Sequence, residues 1–326
     1  MEKLKRVFAR GAKGEKAASK FSVLRGASQG SAPTGHSASG PSPASTAQTS
    51  SSTPASSLDG LVVLHAWSSP AVDICFVHGL AGDRYNTWAA EGASAPWPKL
   101  LLPDRVERAR VLTYGYSTGN DANVVESATK MVVDDAVCLL EALAEDRKAA
   151  NASSRPLILI AHGSGGFLCK KAVLLSRAHY DTDYRAVSES LLGLVFMGTP
   201  HGGSWVKQWA DIPASVLGLP AAPKTSLLKA LATDPHTLEA IQTDFLSLVS
   251  ELSAQGHCFK MVSFFEELPS GDPLVKISTA ESVILPGCTV LQLGGSHIDM
   301  PKFSSTDDRG FKRLLGYLLR WTCSPR

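Results

Sequence analysis

From residue 58 onward, short apolar runs alternate with longer stretches in which apolar residues recur every three or four positions. The runs predict strands at Leu61 to Trp67, Val72 to Val77, Ala109 to Tyr116, Leu157 to Ala161, Leu194 to Met197, Phe259 to Phe265 and Thr289 to Leu293. Between the third and fourth, Val125, Ala128, Val132, Ala136, Leu139 and Leu143 fall on one face of a long helix. A closing helix is expected over Gly310 to Trp321, after an Asp307-Asp308 pair whose charge suits a helix N-terminus. Strands of this kind, separated by helices, predict an α/β fold with a mainly parallel central sheet and helices on both faces.

The alternation breaks between Trp205 and Gly256. Helical stretches such as Leu227 to Leu231 and Leu238 to Leu252 stand there in place of a strand and helix unit. A helical insertion over residues 205–256 is either a lid over a pocket or packing on the core, and the pattern leaves both open.

Composition sets the domain boundary. Residues 1–57 are Ser, Ala, Pro, Gly and Lys with few large apolar residues, which predicts a disordered tail followed by one large domain over 58–326. The tail carries eight basic residues against two acidic ones, a net of +6, which leaves about −4 for the remainder of a chain whose total is +2. Such an arm is read as a solvated extension. Contact with an acidic membrane surface or use as a mitochondrial targeting peptide are the lesser alternatives. No run approaches the roughly 18 apolar residues that span a bilayer. Cys75, Cys138, Cys169, Cys258, Cys288 and Cys323 show no CxxC or metal-ligand spacing and read as small core residues of a reducing compartment. An intracellular, cytoplasmic protein is therefore expected, with no cofactor, no metal and no nucleic-acid partner.

The segment Leu157-Ile158-Leu159-Ile160-Ala161-His162-Gly163-Ser164-Gly165-Gly166 reads as a buried strand running through a sharp turn into a helix. That is the geometry that exposes the nucleophile of an α/β-hydrolase. Further blocks agree with it in order: Val72 to Leu80 ending in His78-Gly79-Leu80, then Thr87-Trp88, Trp97-Pro98, Val111 to Tyr116, and Gly198-Thr199-Pro200-His201-Gly202-Gly203. Phe264-Phe265-Glu266-Glu267-Leu268-Pro269 and His297-Ile298-Asp299-Met300-Pro301-Lys302-Phe303 follow. Together they resemble the lipase-like α/β-hydrolase domain of fungal NLR-type and ankyrin- or tetratricopeptide-repeat proteins, the group related to DUF676 and SERAC-type serine esterases. The resemblance covers roughly Leu61 to Trp321.

The resemblance implies a Ser, acid, His order, with the acid on Glu266 and the base on His297. Glu267 or Asp272 remain alternatives for the acid. The imidazole takes the hydroxyl proton, and the carboxylate orients the ring and stabilises its charged form. The oxyanion donors implied are the amides of Leu80 and Ser164.

The chain departs from the pattern at the elbow, because the nucleophile position holds Gly163 where the family has serine. Glycine removes the hydroxyl together with the backbone strain that an elbow residue carries. Ser164 is a substitute nucleophile only if the turn shifts by one residue, which swings the side chain away from its proper direction. Its reading as an amide donor and first-turn helix residue is favoured. Two functions follow. One is acyl-ester or lipid hydrolysis by Ser164, Glu266 and His297. The other is an inactive pseudo-hydrolase whose pocket binds a ligand or partner in a fungal NLR-like or incompatibility signalling protein.

Overall fold

The computed structural model of the chain describes residues 59–79, 82–116, 128–201, 235–257, 259–269 and 276–323. All of them fall in one compact unit, Ala55–Arg326. Seven strands, β1 Gly60–Ala66, β2 Val72–Val77, β3 Ala109–Gly115, β4 Leu157–His162, β5 Leu191–Met197, β6 Lys260–Glu266 and β7 Thr289–Leu293, form a sheet in the order β1-β3-β2-β4-β5-β6-β7. β1 runs antiparallel to β3, and every other neighbouring pair is parallel. The described helices are α1 Trp97–Leu100, α2 Ala128–Ala149, α3 Gly165–Arg177, α4 Thr182–Glu189, α5 Pro235–Ala254 and α6 Arg309–Cys323. The expected α/β-hydrolase fold is the one found.

Alternation along the strands divides the core into two layers. On β4, Leu157, Leu159 and Ala161 join Cys75, Val77, Leu194 and Phe196 under Leu139, Leu143, Phe167, Val173 and Phe245 of α2, α3 and α5. Ile158 and Ile160 point the other way, with Ile74, Phe76 and Val262, onto Trp88, Trp97, Phe311, Leu314 and Trp321. Side chains of this size contribute about 1.5–3 kcal/mol each when fully buried, so both faces hold their helices firmly. No helix among the described residues is long and apolar enough to cross a membrane.

One polar tie sits at the amino edge of the sheet. Asp73, fully buried at the start of β2, accepts from Arg110 of β3 at 3.0 Å, from Arg155 before β4 at 2.9 Å and from Arg147 of α2. Arg110 also pairs with Asp146 at 2.6 Å. Three guanidinium groups around one carboxylate bind two strands, a helix and a loop together at the edge remote from the carboxyl ends of the strands.

Several expectations need adjustment. β5 starts at Leu191, three residues before the position the apolar run suggests, and α4 is an additional short helix. Of the five described cysteines, Cys75 and Cys169 are core residues. Cys138 and Cys323 are exposed on helices, Cys288 is half-buried, and all five are free thiols. The part of the insertion formed by α5 is packing, since Leu238, Ile241, Phe245 and Leu248 are buried in the main core. The residues 1–57 tail, Leu80, Val125, Leu227 to Leu231, Cys258 and Asp272 lie outside the described residues.

Candidate functional site

The chain passes from β2 to β3 on one side and then crosses back to β4 on the other, so the strand order reverses between β2 and β4. In open α/β sheets the crevice beyond the carboxyl ends of the strands at such a point is where ligands bind. His78-Gly79 leaves β2 there, and Gly163-Ser164 leaves β4 beside it.

The turn after β4 is sharp because Gly163 adopts a φ of +51°, in the left-handed region. Its amide donates to Met197 O at 2.9 Å, and its carbonyl accepts from Thr199 Oγ1 at 2.7 Å. α3 then starts at Gly165. Glycine is required at 165 as well, since a Cβ there would lie 2.3 Å from the carbonyl oxygen of His78. The helix thus begins against the end of β2, the close packing that a strand-to-helix elbow needs.

His297 faces this turn. A Cβ built on Gly163 would point at the imidazole, 3.2 Å from Nε2 and 3.7 Å from Cε1. His297 follows β7 on a loop held from two sides. Gly198, at φ +66°, rests its bare backbone on the ring, where a Cβ would come within 2.7 Å of Cε1. Farther along the loop the Trp97 indole donates to Pro301 O at 2.7 Å, and its ring lies tilted against Phe303 with centroids 4.9 Å apart. The Gly198, Trp97 and His297 sequence blocks therefore meet at one place.

Behind the ring, Glu266 ends β6 and is fully buried. Its Oε1 accepts from the backbone amides of Ile277 and of Ser278, the latter at 3.1 Å. Oε2 faces His297 Nδ1 at 3.6 Å. Both atoms are buried, and among the described residues neither has a closer hydrogen-bond partner. A contact of this length is of the kind that tightens when a substrate is bound. Of the two candidate acids among the described residues, Glu266 and Glu267, the fold brings Glu266 to His297. Glu267 is exposed.

Ser164 stands one residue past the turn that faces His297. It has helical backbone angles, φ −64° and ψ −21°, and is buried at the head of α3. Its side chain interacts with the Tyr116 hydroxyl, which donates to His78 O at 2.9 Å. The Tyr116 ring also stacks on His78 at 4.3 Å, and its amide donates to His78 Nε2 at 3.3 Å. Burial pushes the Tyr116 hydroxyl pKa up, so it stays protonated. Ser164 belongs to this Tyr116–His78 cluster.

Two further features escaped sequence reasoning. His162 lies beside His297, ring centroids 4.6 Å apart, with its Nε2 2.9 Å from His297 O. Burial, with His297 second, holds the His162 pKa well below the usual imidazole value, so His162 Nε2–H donates to that carbonyl and fixes the loop. Below the elbow, Lys170 of α3 is fully buried among Phe167, Phe196 and Phe245. Its Nζ is 2.7 Å from His201 Nδ1 and 2.5 Å from Gln242 Oε1. His201 in turn donates its amide to Ser282 O at 2.6 Å. The Lys170 amine thereby ties the loop beside His297 to α5, and the His201 amide ties that loop to the segment that holds Glu266. Its one sequence signal is a lysine three residues after Phe167 on a buried helix face. Among the described residues no group of His, Cys, Asp or Glu is arranged to hold a metal ion.

No family model matches the chain. It is similar to protein SERAC1 of Danio rerio, 27% identical over 286 residues that make up 80% of this chain and 41% of the relative. Protein SERAC1 of Homo sapiens is 24% identical over 282 residues, with the same 80% and 41% shares. The chain thus spans about two fifths of the length of the curated relatives it matches. Among solved structures it is similar to the crystal structure of DBJA, at 13% identity and a TM-score of 0.47, over 82% of this chain and 95% of that one. The sheet order and the elbow are those of an α/β-hydrolase fold, and the SERAC1 likeness agrees with the SERAC-type resemblance of the motifs.

Proposed function

We propose that this chain is an acyl-ester-recognising α/β-hydrolase of the esterase and lipase type that keeps its acid and base, Glu266 and His297, and has lost the acyl-enzyme route through Gly163. The observation that carries this reading is the line from Gly163 to His297 Nε2. A side chain at 163 is the one that would meet the base, and glycine has none. Ser164 one residue later has helical angles and a partner in Tyr116, which argues against its acting as the nucleophile.

In the proposed site Glu266 keeps the His297 proton on Nδ1, leaving Nε2 free to accept a proton beside residue 163. The Lys170–His201 network and the Trp97–Pro301 bond act as positioning contacts for that pair. Restoring the hydroxyl tests the reading. Gly163→Ser should react with a fluorophosphonate probe and carry the adduct on position 163 by mass spectrometry. Wild type and Ser164→Ala in the wild-type background should both stay unlabelled. Labelling of wild-type Ser164, lost in Ser164→Ala, would sink the proposal and revive the shifted elbow.

A further inference from the structure

The residue just before the turn reaches the base as well. His162 closes β4, so its backbone belongs to the sheet. The turn after it is pinned at both ends, since Gly163 N donates to Met197 O at 2.9 Å and Gly163 O accepts from Thr199 Oγ1 at 2.7 Å. β4 and the turn therefore form a fixed platform. His297, by contrast, stands on a loop. The ties of that loop to the rest of the fold include Leu268 N to Gly295 O at 3.0 Å, two residues before the base, and the Trp97 bond to Pro301, four residues past it. At the base itself the tie is His162, whose Nε2 is 2.9 Å from His297 O.

The His162 ring is well placed to hold that carbonyl. It is buried, with Trp88 edge-on at 6.5 Å and the His297 ring tilted against it at 4.6 Å. The bare backbone of Gly79 packs on this residue too, where a Cβ would come 3.0 Å from His162 O and 3.4 Å from Nδ1. Neighbours this close leave the ring little room to turn away. Burial keeps it neutral, and a carbonyl only accepts, so the proton sits on Nε2.

We propose that His162 is a positioning residue: by holding the His297 carbonyl from the end of β4, it keeps the base in line with both position 163 and Glu266. The proposal deepens the reading of the site given above and rests on it. The His297 side chain hangs from the peptide that His162 holds, so a shift of that peptide shifts the ring. Its Nδ1 faces Glu266 Oε2 at 3.6 Å, already beyond the usual hydrogen-bond range. A further drift would leave the carboxylate unable to choose which nitrogen carries the proton. Nε2 in turn lies 3.2 Å from a Cβ built on Gly163, and a misplacement of about 1 Å in such a line costs about a hundredfold in rate.

The test uses the full 326-residue chain. His162→Phe keeps a ring and removes the donor, whereas His162→Gln restores an N–H at a similar reach. In a Gly163→Ser background, His162→Phe should lower the fluorophosphonate labelling rate about 10- to 100-fold, and His162→Gln should stay within about threefold of its parent. In the otherwise wild-type chain, ¹⁵N NMR of His297 should show Nδ1–H in His162→Gln as in wild type, and a mixture of tautomers in His162→Phe. A loss of stability alone would not move that tautomer in the folded protein. His162→Phe that leaves both readings unchanged, or His162→Gln that shares its losses, overturns the proposal. Should His162→Phe not fold, the ¹⁵N spectrum of His162 in wild type decides: a protonated Nε2 beside a bare Nδ1 supports the proposal, and a protonated Nδ1 overturns it. If Gly163→Ser takes no label, the proposed function fails, and the tautomer comparison still judges His162.

Discussion

Glu266→Gln is the perturbation that most directly probes how the site is built. Oε1 of Glu266 receives two backbone amides, from Ile277 and Ser278, so in the variant the side-chain oxygen must stay on that side. Turning the amide nitrogen there would set donors against donors and leave buried groups unpaired, at about 1–3 kcal/mol each. The glutamine nitrogen therefore faces His297 Nδ1, where Glu266 Oε2 now stands at 3.6 Å. It donates to Nδ1, and the imidazole proton moves to Nε2, the nitrogen that faces residue 163. The base is lost while the packing is kept.

The size of the effect follows from the chemistry. The corresponding Asp to Asn change in the Ser-His-Asp template lowers kcat about 10⁴-fold through the wrong tautomer, which is about 5 kcal/mol of barrier at 1.36 kcal/mol per tenfold. In a Gly163→Ser background the fluorophosphonate labelling rate should fall by about that factor, with little change in melting temperature because the variant exchanges a buried charge for a neutral isostere. In the wild-type background, ¹⁵N NMR of His297 should report the Nδ1–H tautomer, and the Nε2–H tautomer in Glu266→Gln. A double variant that labels within about threefold of Gly163→Ser would refute the assignment of Glu266.

Three stability experiments follow from groups outside that pair. Asp135 on α2 has its pKa pushed up to about 7 by burial, with Asp134 and Asp59 adding to it. A folded-state value above the unfolded one means that stability is fully present below about pH 4 and is lost as pH rises through 7. Asp135→Asn should thus stabilise by about 1–2 kcal/mol at pH 8, discounted from a limit of about 4 for partial exposure, and by nothing at pH 4; urea melts at both pH values check this. Burial holds the Lys170 amine well below its ordinary pKa. Its contribution therefore rises with pH up to 10.5 and falls on acidification, by at most about 1.4 kcal/mol per unit. Lys170→Met should remove that rising contribution between pH 8 and 10, where Cys169 and Cys288, both pushed up to about 12 by burial, add a falling one in wild type and variant alike. Asp73→Asn leaves Arg110, Arg147 and Arg155 around a neutral amide, and equilibrium unfolding should show a loss of about 3–5 kcal/mol.

The sheet was legible because its strands are apolar on both faces, a pattern that only a sheet covered twice produces. Where the pattern weakened, boundaries slipped. Gly193 interrupts the run at the start of β5, yet the strand continues, because a Cβ there would come 2.4 Å from the Trp321 ring of α6. Glycine lets the closing helix approach, a long-range reason that no local window contains. α4 has one buried residue, Val187, and so no apolar stripe to see. Asp308 was legible as a helix start for a local reason, and its Oδ1 accepts from Gly310 N at 2.7 Å and Phe311 N at 3.1 Å.

The site divides along the same line. Glu266 ends β6 and His297 follows β7, and their meeting was what the family resemblance implied. Lys170 was not legible, since a lysine reads as a solvated residue until His201, Gln242 and three aromatic rings are found around it. The choice between Gly163 and Ser164 turns on backbone angles that residue types do not specify. Gly163 stands at φ +51° and Ser164 at −64°. A serine at 163 would carry about 1–3 kcal/mol of strain in that conformation, and glycine carries none. The elbow therefore persists without the side chain that would justify its strain. On the proposed reading, the glycine that relieves this strain also removes the side chain that would meet His297 Nε2, so the stability gained and the acyl-enzyme route lost have one cause.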